Sequence, residues 1–503
     1  MQTQRYVPKQ SGAKLVVLEQ NQIRVYDLDQ RNEWLVGRLL PDGTNNPDIP
    51  FHSGIVSRHH GWLKHIDQDW YYVDNPENLN GTFLNGIKIE RNQTGARKPQ
   101  TLSSGDVLRI DNQNLDYVSK DGVLMLFTKQ PVQQNWRAFM LTDKAVLTIG
   151  RSDRCDIVEP YPYVSATHAK ITSVDGQFYL SDCGSMAGTY LNGKRVVKEE
   201  RLRVRDYISV CDRSYFFLGD RLLFERRDRE REYINNCQTM PNQRPVVLQA
   251  NIKTKKVKNN SGNGMKELIR DIYLEIHQGT LVALLGTAGA GKSTVMNCLN
   301  GMDTVGVQGS VMYRGVDLMK NFDQMKHLIG SVPQKKIIHK VYTPEFEFWV
   351  AAQKRLPADL SKQEIQERVD KTLEMLSMNG VRKNRNSKLS GGEQTRVNVG
   401  IELVADRDLL CLDEPDQGLS PNYKHELFEI LRSLAHNSGK SVLSIIHDVS
   451  EIDLFDQVIM LAKVDGVGRL AFSGTPKEAR EYFGVDIHEA YALLEKNPER
   501  FVR

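Results

Sequence analysis

A glycine-rich segment in the second half of the chain has the residue types and spacing of a phosphate-binding loop. It consists of Gly286, Thr287, Ala288, Gly289, Ala290, Gly291, Lys292, Ser293 and Thr294, and it follows an apolar run at residues 281–285. Because backbone amides of such a turn, between a strand and a helix, can point at phosphate oxygens, we expect a nucleotide to bind here. Lys292 would neutralise the β- and γ-phosphates, and Ser293 would offer its hydroxyl to Mg²⁺. We call residues 286–294 the P-loop.

Two acidic residues, Asp413 and Glu414, follow a second apolar run at residues 409–412. The pattern predicts a buried strand, and the ends of parallel strands meet at the ligand edge of a sheet. Asp413 is suited to the Mg²⁺ shell, whereas Glu414 is suited to orient the attacking water or accept its proton. A third apolar run, residues 442–446, ends in His447, which taken alone would indicate no catalytic role.

These segments resemble the ATP-binding cassette (ABC) ATPases, because Leu389 to Gln394 read LSGGEQ, the signature of that family. The resemblance covers about residues 246–485 and holds in motif order. It implies that Gln334 contacts metal or water and that His447 contacts the γ-phosphate. It also implies that Ser390, Gly391, Gly392 and Glu393 reach the ATP held by a second copy of the chain. We therefore expect Lys292, Gln334, Glu414 and His447 to be catalytic, and Ser293, Gln334 and Asp413 to hold Mg²⁺.

Further segments of this half are similar to subfamily G cassettes, which are largely exporters. One departure is the segment Gln417, Gly418, Leu419 and Ser420, where the family usually reads SGLD. Loss of that aspartate is expected to alter communication between the two ATP sites. A helix-rich stretch including residues 361–378 fits the α-helical subdomain of the family.

The first half of the chain contains one motif pattern twice. Gly-Arg is followed by Ser-x-x-His and by a Gly-Thr-x-x-Asn-Gly segment, first at residues 37–86 and again at 150–193. Short alternating stretches and Asn-Gly turns predict an all-β sandwich for each copy. The ordered set resembles the forkhead-associated (FHA) domain, a phosphothreonine-recognition module, over residues 1–130 and 131–225.

The FHA resemblance assigns ligand roles to particular residues. It places Arg38 and Ser57 on the phosphate, Arg58 on an adjoining contact and Asn80 on the peptide backbone, since a phosphate dianion favours an Arg fork and hydroxyl donors. The corresponding residues of the second copy are Arg151 and Ser165. The second copy has Ala187 where the family has Asn, and Ala166 where the first copy has Arg58, so it is the weaker candidate. The alternative for both copies is a spacer sandwich without a ligand.

Size and composition agree with a multidomain protein. The chain has 503 residues, 26% charged residues and a net charge of +4, which gives no support to nucleic-acid binding. The motifs and the two resemblances imply the fold class: two all-β FHA sandwiches followed by an α/β P-loop NTPase of ABC type with an α-helical subdomain. We expect a charged linker at residues 226–245, the ATPase domain at 246–485 and a C-terminal tail at 486–503. The scattered cysteines form no C-x-x-C pair. We therefore expect neither a zinc site nor a disulfide framework, and a reducing cytosol fits the cysteines best.

The resemblance implies ATP and Mg²⁺ as cofactors and a homodimer through the ATPase domains. Because no apolar run reaches the length of a membrane span, we expect a separate or missing permease and a location in the cytoplasm at the inner face of the cell membrane. A phosphothreonine-containing protein is the other expected partner, and nucleic acid is not. The alternative function is a soluble, phosphorylation-gated ABC ATPase in signalling or assembly, without transport.

Overall fold

A computed structural model describes residues 12–19, 22–41, 43–66, 69–85, 87–90, 99–102, 106–111, 122–128, 136–141, 144–225, 244–258 and 264–502. Residues 226–243, most of the expected linker, lie outside these described residues. The described chain forms two β-sandwiches and a C-terminal α/β domain, as the fold class predicted. We call them the first sandwich (12–128), the second sandwich (136–225) and the C-terminal domain (244–502).

The first sandwich packs a six-stranded sheet on a five-stranded one, in the strand orders β2-β1-β11-β10-β7-β8 and β4-β3-β5-β6-β9. Strand β6 illustrates how the two sheets form a core: alternate residues point inward between them, and Trp70 and Tyr72 are fully buried. Its strands are β1 Lys14–Glu19, β2 Gln22–Asp27, β3 Glu33–Arg38, β4 Ile49–Phe51, β5 Gly61–Ile66, β6 Asp69–Asp74, β7 Gly81–Leu84, β8 Ile87–Lys88, β9 Gln100–Leu102, β10 Val107–Asp111 and β11 Val123–Thr128.

The second sandwich repeats this plan with the orders β12-β22-β21-β20-β17-β18 and β14-β13-β15-β16-β19. The five-stranded sheets of the two sandwiches match, and each has one parallel pair, β3 with β4 and β13 with β14. Its strands are β12 Trp136–Met140, β13 Val146–Gly150, β14 Ile157–Val158, β15 Ala169–Val174, β16 Gln177–Asp182, β17 Thr189–Leu191, β18 Lys194–Arg195, β19 Glu200–Arg201, β20 Tyr207–Val210, β21 Arg213–Phe217 and β22 Arg221–Glu225.

The two sandwiches pack against each other. Four apolar residues of the first sandwich form a buried cluster with two of the second: Val16, Leu18, Val107, Leu124, Phe216 and Leu223. Arg205 of the second sandwich donates to Asp111 of the first over 2.8 Å, and both side chains are buried. Because a buried ion pair fixes geometry closely, the cluster and the pair hold the sandwiches in one arrangement.

The C-terminal domain is built on a ten-stranded sheet of order β27-β26-β23-β24-β32-β31-β25-β30-β29-β28. Strands β28, β29, β30, β25 and β31 run parallel, so their carboxyl ends meet at one edge. The strands are β23 Val246–Lys258, β24 Met265–His277, β25 Leu281–Gly286, β26 Val307–Tyr313, β27 Val316–Asp317, β28 Ile329–Val332, β29 Leu409–Asp413, β30 Ser441–Ile445, β31 Gln457–Val464 and β32 Val467–Gly474.

Helices flank this sheet, and three of them (α3, α4 and α5) form the predicted helical subdomain, which we call the helical lobe. Its second helix begins after Ser361 with a complete capping box, in which Ser361 and Glu364 bond each other's backbone amides. The helices are α1 Lys292–Leu299, α2 Phe322–Met325, α3 Pro344–Arg355, α4 Lys362–Met375, α5 Gly391–Leu403, α6 Pro421–Ser438, α7 Pro476–Phe483 and α8 Ile487–Lys496.

The structure of two segments differs from what their sequence alone suggests. The C-terminal segment is not an extended tail, because α8 buries Ile487, Ala490 and Leu494 against the core of the C-terminal domain. Lys255 belongs to a lysine-rich stretch that reads as a solvated strand edge, yet it is fully buried and forms an ion pair with Asp303 over 2.7 Å. Its ammonium group also donates to the carbonyls of Asp303 and Val305, so the segment that precedes β26 covers it. No helix of the described residues is long and apolar enough to span a membrane.

Candidate functional site

The P-loop connects β25 to α1 at the carboxyl edge of the parallel strands. Gly289 and Gly291 have φ angles of 71° and 85°, a region in which a side chain would be strained. Gly291 is the N-cap of α1 and has no side chain to bond the first amides of that helix. The ammonium group of Lys292 donates to the carbonyl of Gly286 over 2.9 Å, which folds it back over the turn. The loop therefore presents amides, a helix N-terminus and a cation to one volume.

The charges at this edge fit a nucleotide and a metal ion. Burial lowers the pKa of Lys292, although the charges of Glu414 and Asp413 oppose the shift. Burial raises the pKa of Asp413, and the neighbouring charge of Glu414 raises it further. An anion beside Lys292 and a cation beside Asp413 would each favour the charged form. The donor set is thus suited to phosphate at the loop and Mg²⁺ at the strand end.

Glu414 lies at the centre of a polar cluster that joins three strand ends. Its Oε1 is 2.7 Å from Nε2 of His447, after β30, and its Oε2 accepts from Nε2 of Gln334, after β28, over 2.8 Å. The register of the sheet brings Glu414 and His447 together, because Asp413 of β29 is paired with Ile445 of β30 and the two residues follow this pair. Glu414 has a φ of 47°, an unusual value for a residue with a side chain. Such strain is typical of side chains held in place for function.

Gln417 is a member of this cluster that the sequence analysis did not assign. Its Oε1 accepts from Gln334 over 3.2 Å, and its Nε2 donates to Glu414 over 3.3 Å. The only signal in the sequence was the departure from SGLD at residues 417–420. The structure places the residue that departs from that pattern in contact with two of the predicted catalytic residues.

The signature begins α5 in the helical lobe. Ser390 is the N-cap, and Ser390 and Glu393 form a capping box with distances of 2.7 Å and 3.3 Å. Lys336 donates to the carbonyl of Gly391 over 2.8 Å and so ties the signature to the segment after Gln334. Within the described chain, no hydrogen bond or ion pair joins residues 390–393 to the P-loop. The amides of Gly391 and Gly392, which the capping box does not use, thus remain available to a ligand from elsewhere.

In the first sandwich, the predicted phosphate residues lie on neighbouring loops. A side chain at Gly37 would come within 2.0 Å of the carbonyl of Arg58, so the Gly-Arg and Ser-x-x-His segments are in close contact. Arg38 donates to the carbonyl of Gly54 over 3.1 Å, and its buried Nε has no partner among the described residues. Asn80 donates to the carbonyl of Ile55 over 2.7 Å. Arg58 is exposed and Ser57 is half-buried on the same face.

His60, the histidine of the Ser-x-x-His segment, has a structural role in the first sandwich. It is fully buried, its Nδ1 accepts from the amide of Ser57 over 3.0 Å, and its Nε2 lies 3.0 Å from the hydroxyl of Thr82. That hydroxyl donates to Asp74 over 2.5 Å. The histidine therefore holds the loop that carries Ser57, as a neutral ring between a donor and an acceptor.

The corresponding corner of the second sandwich is arranged differently. Ser165 is buried, and its hydroxyl accepts from the amide of Met186 over 3.3 Å. Ala187 is buried as well. Arg151 is in contact with carboxylates of the helical lobe. The two predicted phosphopeptide residues of this corner, Arg151 and Ser165, are thus engaged within the described chain, and of the six only Arg151 is paired with carboxylates there.

Comparison with known proteins adds family information to this geometry. Residues 269–417 match the family described as "ABC transporter", and residues 34–111 and 147–211 match "FHA domain". The "ABC transporter ATP-binding/permease protein Rv1747" of Mycobacterium tuberculosis is 31% identical over 67% of this chain and 36% of its own length. The "ABC transporter G family member 28" of Arabidopsis thaliana is 34% identical over 43% of this chain and 20% of its own length. The chain thus spans about a third or less of each of these two relatives.

A solved structure described as "Structure of ATP binding subunit of ABC transporter" covers 50% of this chain and 99% of its own, with 22% identity and a TM-score of 0.41.

Proposed function

We propose that this chain, in which two FHA domains precede an ABC ATPase domain, hydrolyses ATP as the cassette subunit of an ABC exporter. The observation that carries the proposal is the contact of Glu414 with His447 and Gln334 at the strand edge that also carries the P-loop. The carboxylate of Glu414, the imidazole of His447 and the amide of Gln334 lie there. Lys292 and Asp413 are close by, and Asp413 is suited to bind a metal ion. That arrangement suits phosphoryl transfer to water.

In this proposal each residue has a role that follows from the chemistry of its side chain. The P-loop amides and Lys292 bind the phosphates, while Ser293, Asp413 and Gln334 hold Mg²⁺, which neutralises charge on the phosphate oxygens when bound. Glu414 orients the attacking water and accepts its proton, and His447 donates a hydrogen bond to the γ-phosphate. Gln417 positions Glu414 and Gln334 relative to each other.

The remaining donors are proposed to come from a second copy of the chain. Ser390 and the amides of Gly391 and Gly392 begin a helix whose N-terminus favours negative charge. Because no hydrogen bond or ion pair joins these residues to the P-loop within the described part of the chain, ATP would lie between two ATPase domains facing each other. The homodimer thereby completes both sites, and ATP binding and hydrolysis close and open it.

Relatives named as ABC transporters support the transport part of the proposal, and the similarity to subfamily G cassettes supports export. The described residues contain no helix suited to span a membrane, so we propose a permease on a separate polypeptide or on a part of the protein beyond this sequence. The chain would then act in the cytoplasm at the inner face of the cell membrane. Affinity purification from solubilised membranes should recover an integral membrane protein in stoichiometric amount. Recovery of soluble partners alone would favour the phosphorylation-gated ATPase without transport.

Replacement of Glu414 by glutamine tests the catalytic proposal. The amide keeps the shape of the side chain but cannot accept a proton, so we expect ATP turnover to fall by about 100-fold or more. Nucleotide binding should be unchanged, and a dimer should accumulate with ATP and Mg²⁺ in size-exclusion chromatography. The matched control is Glu374→Gln on an exposed face of α4, which should leave turnover unchanged. Full turnover in Glu414→Gln would remove Glu414 from the mechanism.

A further inference from the structure

The anion-binding corner of the second sandwich holds two carboxylates of the C-terminal domain. A terminal nitrogen of Arg151 donates to Glu364 over 2.5 Å, and the other donates to Asp359 over 3.1 Å. The second oxygen of Asp359 accepts from the backbone amide of Ala166 over 2.6 Å. The remaining nitrogen of Arg151, Nε, donates to the carbonyl of Val164 over 3.2 Å. Every nitrogen of this guanidinium therefore has an acceptor.

Asp359 occupies the position that the motif pattern reserves for an anion. It bridges the guanidinium of the Gly-Arg segment and an amide of the Ser-x-x-His segment. These two segments are in close contact: a side chain at Gly150 would lie within 2.3 Å of the carbonyl of Ala166, so glycine is needed there. In the first sandwich no carboxylate of the described residues contacts Arg38, and the buried Nε of Arg38 has no partner among them. The two copies thus differ in one respect: the second has its anion within the same chain.

The helical lobe offers Glu364 from the first turn of α4 and Asp359 from the turn between α3 and α4. Glu364 uses one oxygen to cap α4 by accepting from the amide of Ser361 over 2.8 Å, and the other oxygen accepts from Arg151. The hydrogen bonds from Ser361 and Arg151 hold the pKa of Glu364 below its ordinary value, so it is ionised near neutral pH. Ligands fixed on a helix end lose little freedom when they dock.

The second sandwich also contacts the other part of the C-terminal domain. The amide nitrogen of Gln324, in α2, donates to the carbonyl of Cys211 in the second sandwich. Helix α2 is followed by β28 and then by Gln334, whereas Asp359 and Glu364 belong to the helical lobe that carries the signature. The second sandwich therefore bridges the sheet-bearing part of the domain and the helical lobe.

We propose that the anion-binding corner of the second FHA domain is a docking surface for residues 359–364 of the helical lobe and serves as a brace between the two parts of the ATPase domain. A carboxylate within the chain replaces the phosphothreonine of an external partner. The side chains that would grip an external peptide are unnecessary for a tethered ligand, which accounts for Ala166 and Ala187 at this corner. The inference concerns docking and does not depend on ATP hydrolysis.

Hydrogen exchange of the full chain, followed by mass spectrometry, tests the brace. Arg151→Asp and Asp359→Arg should each raise the exchange rate of amides at residues 359–364 and 164–168 by about fivefold, since contacts of half-exposed charges are weak individually. The double variant restores the opposite charges and should return exchange toward that of the unmodified chain. Arg154→Asp, an exposed arginine of the same loop, is the matched control and should leave exchange unchanged.

Two results would overturn the proposal. One is unchanged exchange at residues 359–364 in both single variants. The other is an external phosphothreonine ligand at this corner: in an Arg38→Ala background, a degenerate phosphothreonine peptide library would bind and raise exchange at residues 359–364. Because neither measurement uses ATP, an inactive ATPase would leave the result interpretable.

Discussion

Arg38 and Arg151 occupy equivalent positions in the two FHA domains, and their different surroundings predict opposite results for the same substitution. Arg38 uses one terminal nitrogen on the carbonyl of Gly54, and its Nε has no partner among the described residues. It has donors left for a phosphate. Arg151 already donates to two carboxylates and a carbonyl. Of these two arginines, we therefore expect only Arg38 to contribute to phosphothreonine binding.

The size of the effect follows from the hydrogen bonds that Arg38 can form. A hydrogen bond to a charged group is worth about 1.5–3 kcal/mol, and the half-exposed position of Arg38 favours the lower part of that range. Loss of about 2 kcal/mol in Arg38→Ala corresponds to about 30-fold weaker binding. Arg58→Ala should cost about threefold, because an exposed charge contributes less than about 1 kcal/mol.

Fluorescence anisotropy with a labelled, degenerate phosphothreonine peptide library measures these affinities on the full chain. The unphosphorylated library provides the baseline, and circular dichroism verifies that each variant is folded. Arg151→Ala is the matched control and should bind as the unmodified chain does. The reasoning would be refuted if Arg151→Ala weakened binding as much as Arg38→Ala, or if Arg38→Ala had no effect.

Two further substitutions test packing in the ATPase domain. Gly400→Ala would place a methyl group 2.2 Å from the buried ring of Phe348; the overpacking, about 1–3 kcal/mol or more, should exceed the gain of about 1 kcal/mol in helix propensity and lower the thermal midpoint of unfolding. Gly380→Ala, with nothing within 4 Å of the new methyl group, is its control and should leave the midpoint unchanged. Lys255→Met removes a buried cation and leaves two carbonyls without their donor, so we expect a loss of about 1–3 kcal/mol in chemical denaturation, against no change for the exposed Lys253→Met. A stability of Lys255→Met equal to that of the unmodified chain would show that the ion pair is energetically neutral.

The fold and the edge of the ATP site were predictable because their signals are local. A glycine turn after an apolar run, and two acids after another, define strand ends from a few adjacent residues. Parallel pairing then brings Gly286, Asp413 and His447 to one edge without knowledge of any long-range contact. The repeat of three ordered motifs likewise predicted two sandwiches of the same plan.

The contacts that escaped prediction are those between residues far apart in the sequence. Arg151 and Asp359 are separated by 208 positions, and no periodicity or motif connects them. Gln417 was visible only as a departure from a family pattern, and its partners Glu414 and Gln334 became known from the sheet order. Lys255 lies in a lysine-rich stretch, which is ordinarily exposed, and only its contacts with residues 303–305 reveal its burial.

A phosphopeptide bound to the first FHA domain can affect the ATPase only if it prefers one of two arrangements of the domains. One available contact is direct, since Asn251 of β23 donates to Asp69 of the first FHA domain over 3.0 Å, and the other contacts form a series. The pair of Arg205 with Asp111 and the apolar cluster connect the first FHA domain to the second, and Arg151 connects the second to the helical lobe. The last connection is the weakest physically, because Asp359 and Glu364 remain partly exposed while Arg205 and Asp111 are buried. The two FHA domains should therefore move together as one unit, with the change located at their partly exposed contacts with the ATPase domain, those of Arg151 and of Asp69.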